Sequence, residues 1–368
     1  MKVLHLNSEK TWRGGENQIR LLIEGIHATR KDVKQYLAAP EDSEILKRVS
    51  DKVDKLPLSF SSGLNPGDIF KLGKFCRANH IDIIDAHSSK AHNIGAACKI
   101  LNPKLKFIVH RRVDYLPKPN PVNRLKYDIP DQYVAISNAI GDILQNYGIA
   151  TSKISIARSA VSGEPYLNLD KASCKKKIGE TFGVDPNLTF IGNASAFTHQ
   201  KGYETLLNSI AHLKSQSNKF HCFIAGDGPL ASKLEQMRID LKLDDELTFL
   251  GFIDRVPEFL SALDILAVPS NYEGLGTILL DGAHAGCTLV GSQVGGIPEI
   301  IKDKGHGCLI PVGDSKQLAK ELLFLIDHPD EARKMADLAR TNVHENFSIN
   351  SMVNANLDVY EKILGKKS

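Results

Sequence analysis

The sequence predicts an α/β protein built on two parallel sheets. Short apolar runs alternate with longer amphipathic ones, the alternation breaks near residue 160 and restarts at 188, and 368 residues suffice for two domains with separate cores. In the first half the strand-like runs are KVLHLN, QYLAAP, DIIDAH, KFIVH, QYVAIS and KISIA. Between them lie stretches such as NQIRLLIEGIHATR, where Ile19, Leu22, Ile23 and Ile26 recur at helical spacing. The second half repeats the scheme with LTFIGNAS, FHCFIAG, LTFLGF, DILAVPS, TLVGS and CLIPV. Strand–helix repetition of this kind builds parallel sheets covered by helices on both faces. Two of them make two Rossmann-like domains, whose ligands gather at the carboxyl ends of the strands.

The seam falls within residues 160–187, where SGEPYLNLD and KASCKKKIGE interrupt the strand pattern. Lys175, Lys176 and Lys177 there read as a solvated helix start. The last stretch, INSMVNANLDVYEKIL, is helical by period.

Hydrophobic residues at 42% and charged residues at 24% describe an ordinary globular chain. The six cysteines (76, 98, 174, 222, 287 and 308) contain no CxxC pair, which argues against a zinc site or disulfide framework and for a reducing, cytoplasmic setting. The opening MKVLHLNSEKTWRGG is too short in apolar residues for a signal peptide, and no run of about 18 apolar residues spans a membrane. Net charge is +3 but unevenly shared: residues 1–165 hold 25 Lys+Arg against 17 Asp+Glu, and the rest 21 against 26. That asymmetry fits an anionic partner, either a membrane surface or a phosphorylated acceptor, or else ordinary solvated charge. No dense basic cluster stands out, so no nucleic-acid partner is expected.

Residues 264–281, DILAVPSNYEGLGTILLD, concentrate the chemistry. An apolar run breaks at Pro269, presents Glu273, and enters a helix through Gly274, Leu275, Gly276 and Thr277. Backbone N–H groups at a helix start hold an anion, and glycines let the chain approach it closely. The arrangement suits a phosphorylated sugar, with Glu273 accepting from its hydroxyls; a helix-start carboxylate favoured by the macrodipole is the alternative. Lys201, before Gly202 and a helical run, can place a point charge on phosphate. Gly14 and Gly15 form an amide-rich turn after the first strand, and His110 and His87 close strands where ligands gather. Asp227 and Gly228 end another strand, without the GxGxxG of a dinucleotide fingerprint.

The segments AGDGPL (225–230), FLGF (249–252), DILAVPS (264–270), EGLG (273–276) and VGGIPE (294–299) occur in an order and spacing that resemble retaining glycosyltransferase family 4 over nearly the whole chain. The resemblance implies the GT-B fold, two Rossmann-like parallel-sheet domains facing a central cleft. Residues 1–165 would form the acceptor-side domain, with a helix at about 349–368 packing back on it, and residues 166–348 the nucleotide-sugar domain. It implies retaining transfer from a nucleotide-diphosphate sugar to a cell-envelope glycan or lipid-linked acceptor, with no metal and no cofactor beyond that co-substrate, in the cytoplasm or at the inner face of the membrane.

By the same resemblance Glu273 and His110 touch the donor sugar, Lys201 and the amides around Gly276 and Thr277 face the diphosphate, Asp227 and Gly228 border the base, and Gly295 and Gly296 line the cleft. Two positions depart from the family. Asp281 replaces a second glutamate that binds ribose, and GNASAF lacks the arginine that commonly assists the lysine, leaving Arg158, Arg255 or a phosphate grip by backbone amides in its place. Those departures keep two alternatives open: a nucleotide-sugar-binding protein without transfer, and a sugar nucleotide epimerase of the same architecture.

Overall fold

The structure is a computed structural model that describes residues 1–114 and 120–365. The chain divides into two compact units, one comprising Met1–Ala160 with the segment from Ile349 onward, the other Val161–Ser348.

Among the described residues of the first unit, β1 (Lys2–Leu6), β2 (Lys34–Ala39), β3 (Asp54–Pro57), β4 (Ile83–Ala86), β5 (Lys106–Arg111), β6 (Gln132–Ala135) and β7 (Ile154–Ile156) form one parallel sheet. Its order is β3-β2-β1-β4-β5-β6-β7. The second unit pairs β8 (Thr189–Ala194), β9 (Phe220–Ala225), β10 (Leu247–Gly251), β11 (Ile265–Val268), β12 (Thr288–Ser292) and β13 (Gly307–Ile310), also in parallel, in the order β10-β9-β8-β11-β12-β13. In each sheet the winding reverses once, between β1 and β4 and between β8 and β11. Such switch points leave a crevice at the carboxyl ends of the strands.

Both sheets are Rossmann-like, as the alternation predicts. Every strand residue of β4 and β9 is buried, which is why those segments read as apolar runs interrupted only by Asp85 and His221. The helix Gly14–Thr29 buries Ile19, Leu22, Ile23 and Ile26, the positions its spacing singled out. One strand has no counterpart in the sequence reading. β3 is an edge strand with sequence DKLP, and an edge tolerates both the charges and Pro57.

The C-terminal helix (Ile349–Ile363) belongs to the first unit, where Met352, Val353, Leu357 and Tyr360 join a core with Val3, Leu22, Ile26, Ile83 and Ile108. It lies so close to the helix Gly14–Thr29 that a Cβ on Gly25 would stand 2.6 Å from Val353 Cγ2. Arg30 and Glu361 pair across the same contact at 2.9 Å.

The lysine run corrects one expectation. Lys176 and Lys177 are solvated, but Lys175 pairs with Asp264 at 2.5 Å and lies over the Phe190 ring, because Asp264 immediately precedes β11 and lies within reach of the helix Lys171–Phe182.

Candidate functional site

In the second unit the switch point brings the two loops with the strongest sequence signals together. After β8 the chain runs through Lys201 and turns at Gly202, φ 66°, into the helix Tyr203–Lys214. After β11 it passes Pro269 and Glu273 and turns at Gly276, φ 90°, into the helix Thr277–His284. A Cβ on Gly202 would stand 1.9 Å from the Pro269 carbonyl oxygen, so the two loops touch backbone to backbone. Across that contact Lys201 Nζ donates to Glu273 Oε2 at 2.7 Å, and Ser270 Oγ approaches the same oxygen at 3.4 Å. Glu273 is 8% exposed, and its carboxylate is held by a lysine 72 residues earlier in the chain.

Two glycine turns brace this pair. A Cβ on Gly295, φ 54°, would stand 1.6 Å from the Glu273 carbonyl oxygen, and one on Gly296 2.7 Å from that of Gly274. The VGG turn after β12 therefore packs on the Glu273 backbone itself. On the other side Gly226 and Gly228 lie against the loop after β8: their Cβ atoms would meet Ser195 O at 2.0 Å and Phe197 O at 2.8 Å. Asp227 between them is exposed, its Oδ1 accepting from the Gly228 N–H at 2.7 Å. Asn193, in the GNAS segment, ties β8 to β11 by donating to the Ala267 carbonyl at 2.6 Å, and its Oδ1 accepts from Ser195 and Tyr203.

Asp281 lies one turn into the helix Thr277–His284, where its Oδ1 accepts from the Tyr166 hydroxyl at 2.9 Å. Burial pushes its carboxyl up to about 7 against that hydrogen bond. The unfolded chain releases this proton near pH 4, by the ordinary aspartate value of about 3.9. Its contribution to stability is therefore fully present below that value and is lost as pH rises toward about 7. Asp281→Asn keeps the acceptor for Tyr166 and removes the charge, so it should raise the Tm above that of the parent at pH 8 and not at pH 4. An equal difference at both values in thermal denaturation would refute the burial effect.

Arg255 precedes the helix Val256–Ala262 at the exposed end of β10, two strands from the switch point, and Arg158 lies in the other unit. Lys201 is thus the cation paired with Glu273. A cavity of about 570 Å³ opens elsewhere in this unit, lined by Thr189, Ile265 and Thr288 near the opposite ends of β8, β11 and β12. Its Lys171 and Lys175 are already engaged by the carbonyls of Leu263 and Gly286 and by Asp264.

In the first unit Gly14 and Gly15 open the helix Gly14–Thr29, whose start is fixed by Glu16 accepting from the Arg13 N–H at 3.0 Å. A Cβ on Gly15 would meet nothing within 4 Å, so no packing demand explains that glycine. His87 and His110 do meet, with ring centroids 4.4 Å apart, in a buried polar cluster. His110 Nε2 is 3.1 Å from Asp85 Oδ2, the Tyr360 hydroxyl donates to the same oxygen at 2.5 Å, and His5 Nδ1 is 3.1 Å from His87 Nε2. Burial lowers the imidazoles of His87 and His110, despite Asp85 alongside, so both are neutral. Burial alone would raise the Asp85 carboxyl, while the hydrogen bond it accepts from the neutral His110 ring favours the ionised form and lowers it. His5, Asp85 and Tyr360 were not singled out by the sequence reading. The available signal was polarity where a doubly covered strand should be apolar: His5 inside KVLHL and Asp85 inside DIIDAH.

Two Rossmann-like units, each wound about a switch point, define an α/β protein of the GT-B type. Over all of this chain and 99% of the other, the fold matches a glycosyltransferase from Rickettsia africae ESF-5 with a TM-score of 0.87 at 21% identity. Anabaena Alr3699/HepE in complex with UDP-glucose matches over 99% of this chain and 100% of its own, with a TM-score of 0.84 at 19% identity. Residues 12–162 match the family described as Glycosyltransferase Family 4, and residues 175–342 that described as Glycosyl transferases group 1. The chain belongs to glycosyltransferase family 4. Among its relatives is the N-acetyl-alpha-D-glucosaminyl L-malate synthase of Bacillus anthracis, 24% identical over 80% of this chain and 78% of that protein. Another is the lipopolysaccharide core biosynthesis mannosyltransferase LpsB of Rhizobium meliloti, 29% identical over 53% of this chain and 56% of that protein. The 2-deoxystreptamine glucosyltransferase of Streptomyces kanamyceticus is matched over only 50% of its length.

Proposed function

We propose that this protein is a metal-independent, retaining transferase that moves a sugar from a nucleotide diphosphate to a hydroxyl of a cell-envelope glycan or lipid-linked saccharide. The observation that carries the reading is the Lys201–Glu273 pair at the start of the helix Thr277–His284. Lys201 and the helix amides offer positive charge to a diphosphate, and Glu273 offers a carboxylate to sugar hydroxyls. Asp227 and Gly228 border the base, and Asp281, one turn behind the amides, is assigned to the ribose by the family resemblance alone, since its Oδ1 already accepts from Tyr166. In the reaction the bond from the anomeric carbon to the phosphate oxygen breaks while one to the acceptor oxygen forms on the same face. The acceptor proton passes to the departing phosphate, so the nucleotide diphosphate leaves balanced and no protein carboxylate pair is needed. Preorganised charge and orientation then supply the rate.

The UDP-glucose seen with Anabaena Alr3699/HepE makes UDP sugars the first donors to try, and the Rhizobium meliloti relative supports an envelope acceptor. One assay tests the whole reading. UDP-, GDP- and ADP-sugars are offered with glycan acceptors and with lipid-linked acceptors in neutral and anionic vesicles, each with and without EDTA. Transfer with retained configuration, unaffected by EDTA and strongest on anionic vesicles as the basic first half suggests, is the expected outcome. Isomerised donor would identify an epimerase, binding without turnover a binding protein, and loss of transfer on chelation restored by Mg²⁺ a metal-dependent mechanism.

A further inference from the structure

In the first unit one chain of hydrogen bonds can be directed from both ends, because its terminal groups have no choice of role. The Ile23 carbonyl can only accept, so Gln35 Nε2 donates to it at 2.9 Å and Gln35 Oε1 faces His5 Nε2 at 3.2 Å as an acceptor. His5 Nε2 therefore carries the ring hydrogen and His5 Nδ1 the lone pair. At the other end Arg112 can only donate, so His87 Nδ1, 3.4 Å from Arg112 Nη2, carries a lone pair and His87 Nε2 a hydrogen. The two assignments meet without conflict where His87 Nε2 donates to His5 Nδ1 at 3.1 Å. His5, Asp85 and His87 offer ligand-type atoms within 4.8 Å of one another, but a metal there would need the lone pair of a nitrogen this chain keeps protonated.

The same logic fixes the histidine beside it. Asp85 Oδ2, fully buried, receives the Tyr360 hydroxyl and His110 Nε2, and a carboxylate can only accept. His110 Nε2 must carry the hydrogen, which leaves His110 Nδ1 as a lone pair with no protein partner among the described residues. The charges that face this group are Asp85 itself and the half-buried Arg112, with Glu16 beyond it; His5 and His87 are spent on the chain above.

We propose that Tyr360 is a positioning residue: through Asp85 it locks His110 as the Nε2–H tautomer, so that Nδ1 accepts a hydrogen bond from a hydroxyl of the ligand at the carboxyl end of this sheet. As a role in transfer this rests on the reading above. It also restricts the ligand, because a lone pair recognises a hydroxyl and turns away a phosphate or carboxylate oxygen at that position.

The test uses full-length protein labelled with ¹⁵N-histidine, the His110→Gln variant serving to assign the resonance. At pH 7.5 the long-range ¹H–¹⁵N pattern of His110 in the parent should be that of a neutral Nε2–H ring. Tyr360→Phe should stay folded with a lowered Tm, because it removes a donor from the buried Asp85 carboxylate, and should turn that pattern into a tautomer mixture and lower kcat by about tenfold, the scale of one hydrogen bond, with nucleotide affinity unchanged. Asp85→Asn should do the same more strongly. The proposal is overturned if parent His110 is protonated on Nδ1 or on both nitrogens, if zinc binds stoichiometrically and shifts the His5 and His87 resonances, or if Tyr360→Phe leaves tautomer and kcat unchanged. Should a variant fail to fold, the parent spectrum alone decides the tautomer. Should no donor support turnover in the parent, the transfer reading fails, while the spectra still judge the lock.

Discussion

Lys201→Ala is expected to lose most of its affinity for nucleotide diphosphates and about 10²–10³ in kcat, the cost of removing one preorganised charge from a transition state. The expectation is sharpened by what Lys201 does without ligand, since its ammonium already neutralises Glu273 at 2.7 Å. A diphosphate arriving at the helix start would draw the ammonium toward itself and leave the Glu273 carboxylate ready to accept from sugar hydroxyls. The two variants should therefore differ in kind. Glu273→Ala should bind free nucleotide diphosphate as tightly as the parent, or more so with Lys201 released, and should lose transfer. Calorimetry with UDP, GDP and ADP separates them, and undiminished diphosphate binding by Lys201→Ala would remove the lysine from the site.

Gly295→Ala should be the most disruptive single methyl group in the second unit. Its φ of 54° disfavours any side chain, and the added carbon would stand 1.6 Å from a carbonyl oxygen, a separation no rotamer can relieve. The turn must move, and the Glu273 backbone with it. A loss on the order of 2–4 kcal/mol follows, which lowers the Tm of a unit this size by roughly 4–16 °C. Transfer should be lost even at temperatures where the unit stays folded. Gly15→Ala is the contrast, since its Cβ meets nothing within 4 Å and the helix gains propensity. If thermal denaturation gave the two variants equal Tm values, the VGG turn would not be bracing Glu273.

Much of this architecture is legible in the sequence because parallel strands covered on both faces must be apolar throughout. Twelve of the strands show as short apolar-rich runs, the edge strands β7, β10 and β13 among them; β3 does not, since an edge strand tolerates polar residues and this one is written DKLP. The loops of the second unit are equally readable, because glycines forced by backbone contact stand next to the residues they brace, as Gly202 does to Lys201. What could not be read is pairing across long separations. Nothing local to Lys201 names Glu273 as its partner, and nothing in KVLHL or DIIDAH says that His5 and Asp85 share a cluster with a tyrosine 275 residues beyond Asp85. Asp281 shows the same limit: the resemblance implies a ribose contact there, and nothing local announces its hydrogen bond to Tyr166, which depends on how the chain enters the unit.

The return of the C-terminal helix to the first unit has a consequence for how the chain is made. Gly25, Arg30 and Asp85 all wait for partners on a helix that begins at Ile349. At about 5–20 residues per second, a ribosome needs on the order of 10–40 s to travel from the end of the first contiguous segment to that helix. During that interval the nascent first unit presents an open apolar face, while the second, contiguous in sequence, can complete itself. The part of the molecule synthesised first is thus the part that matures last, and it is there that a chaperone would find its substrate.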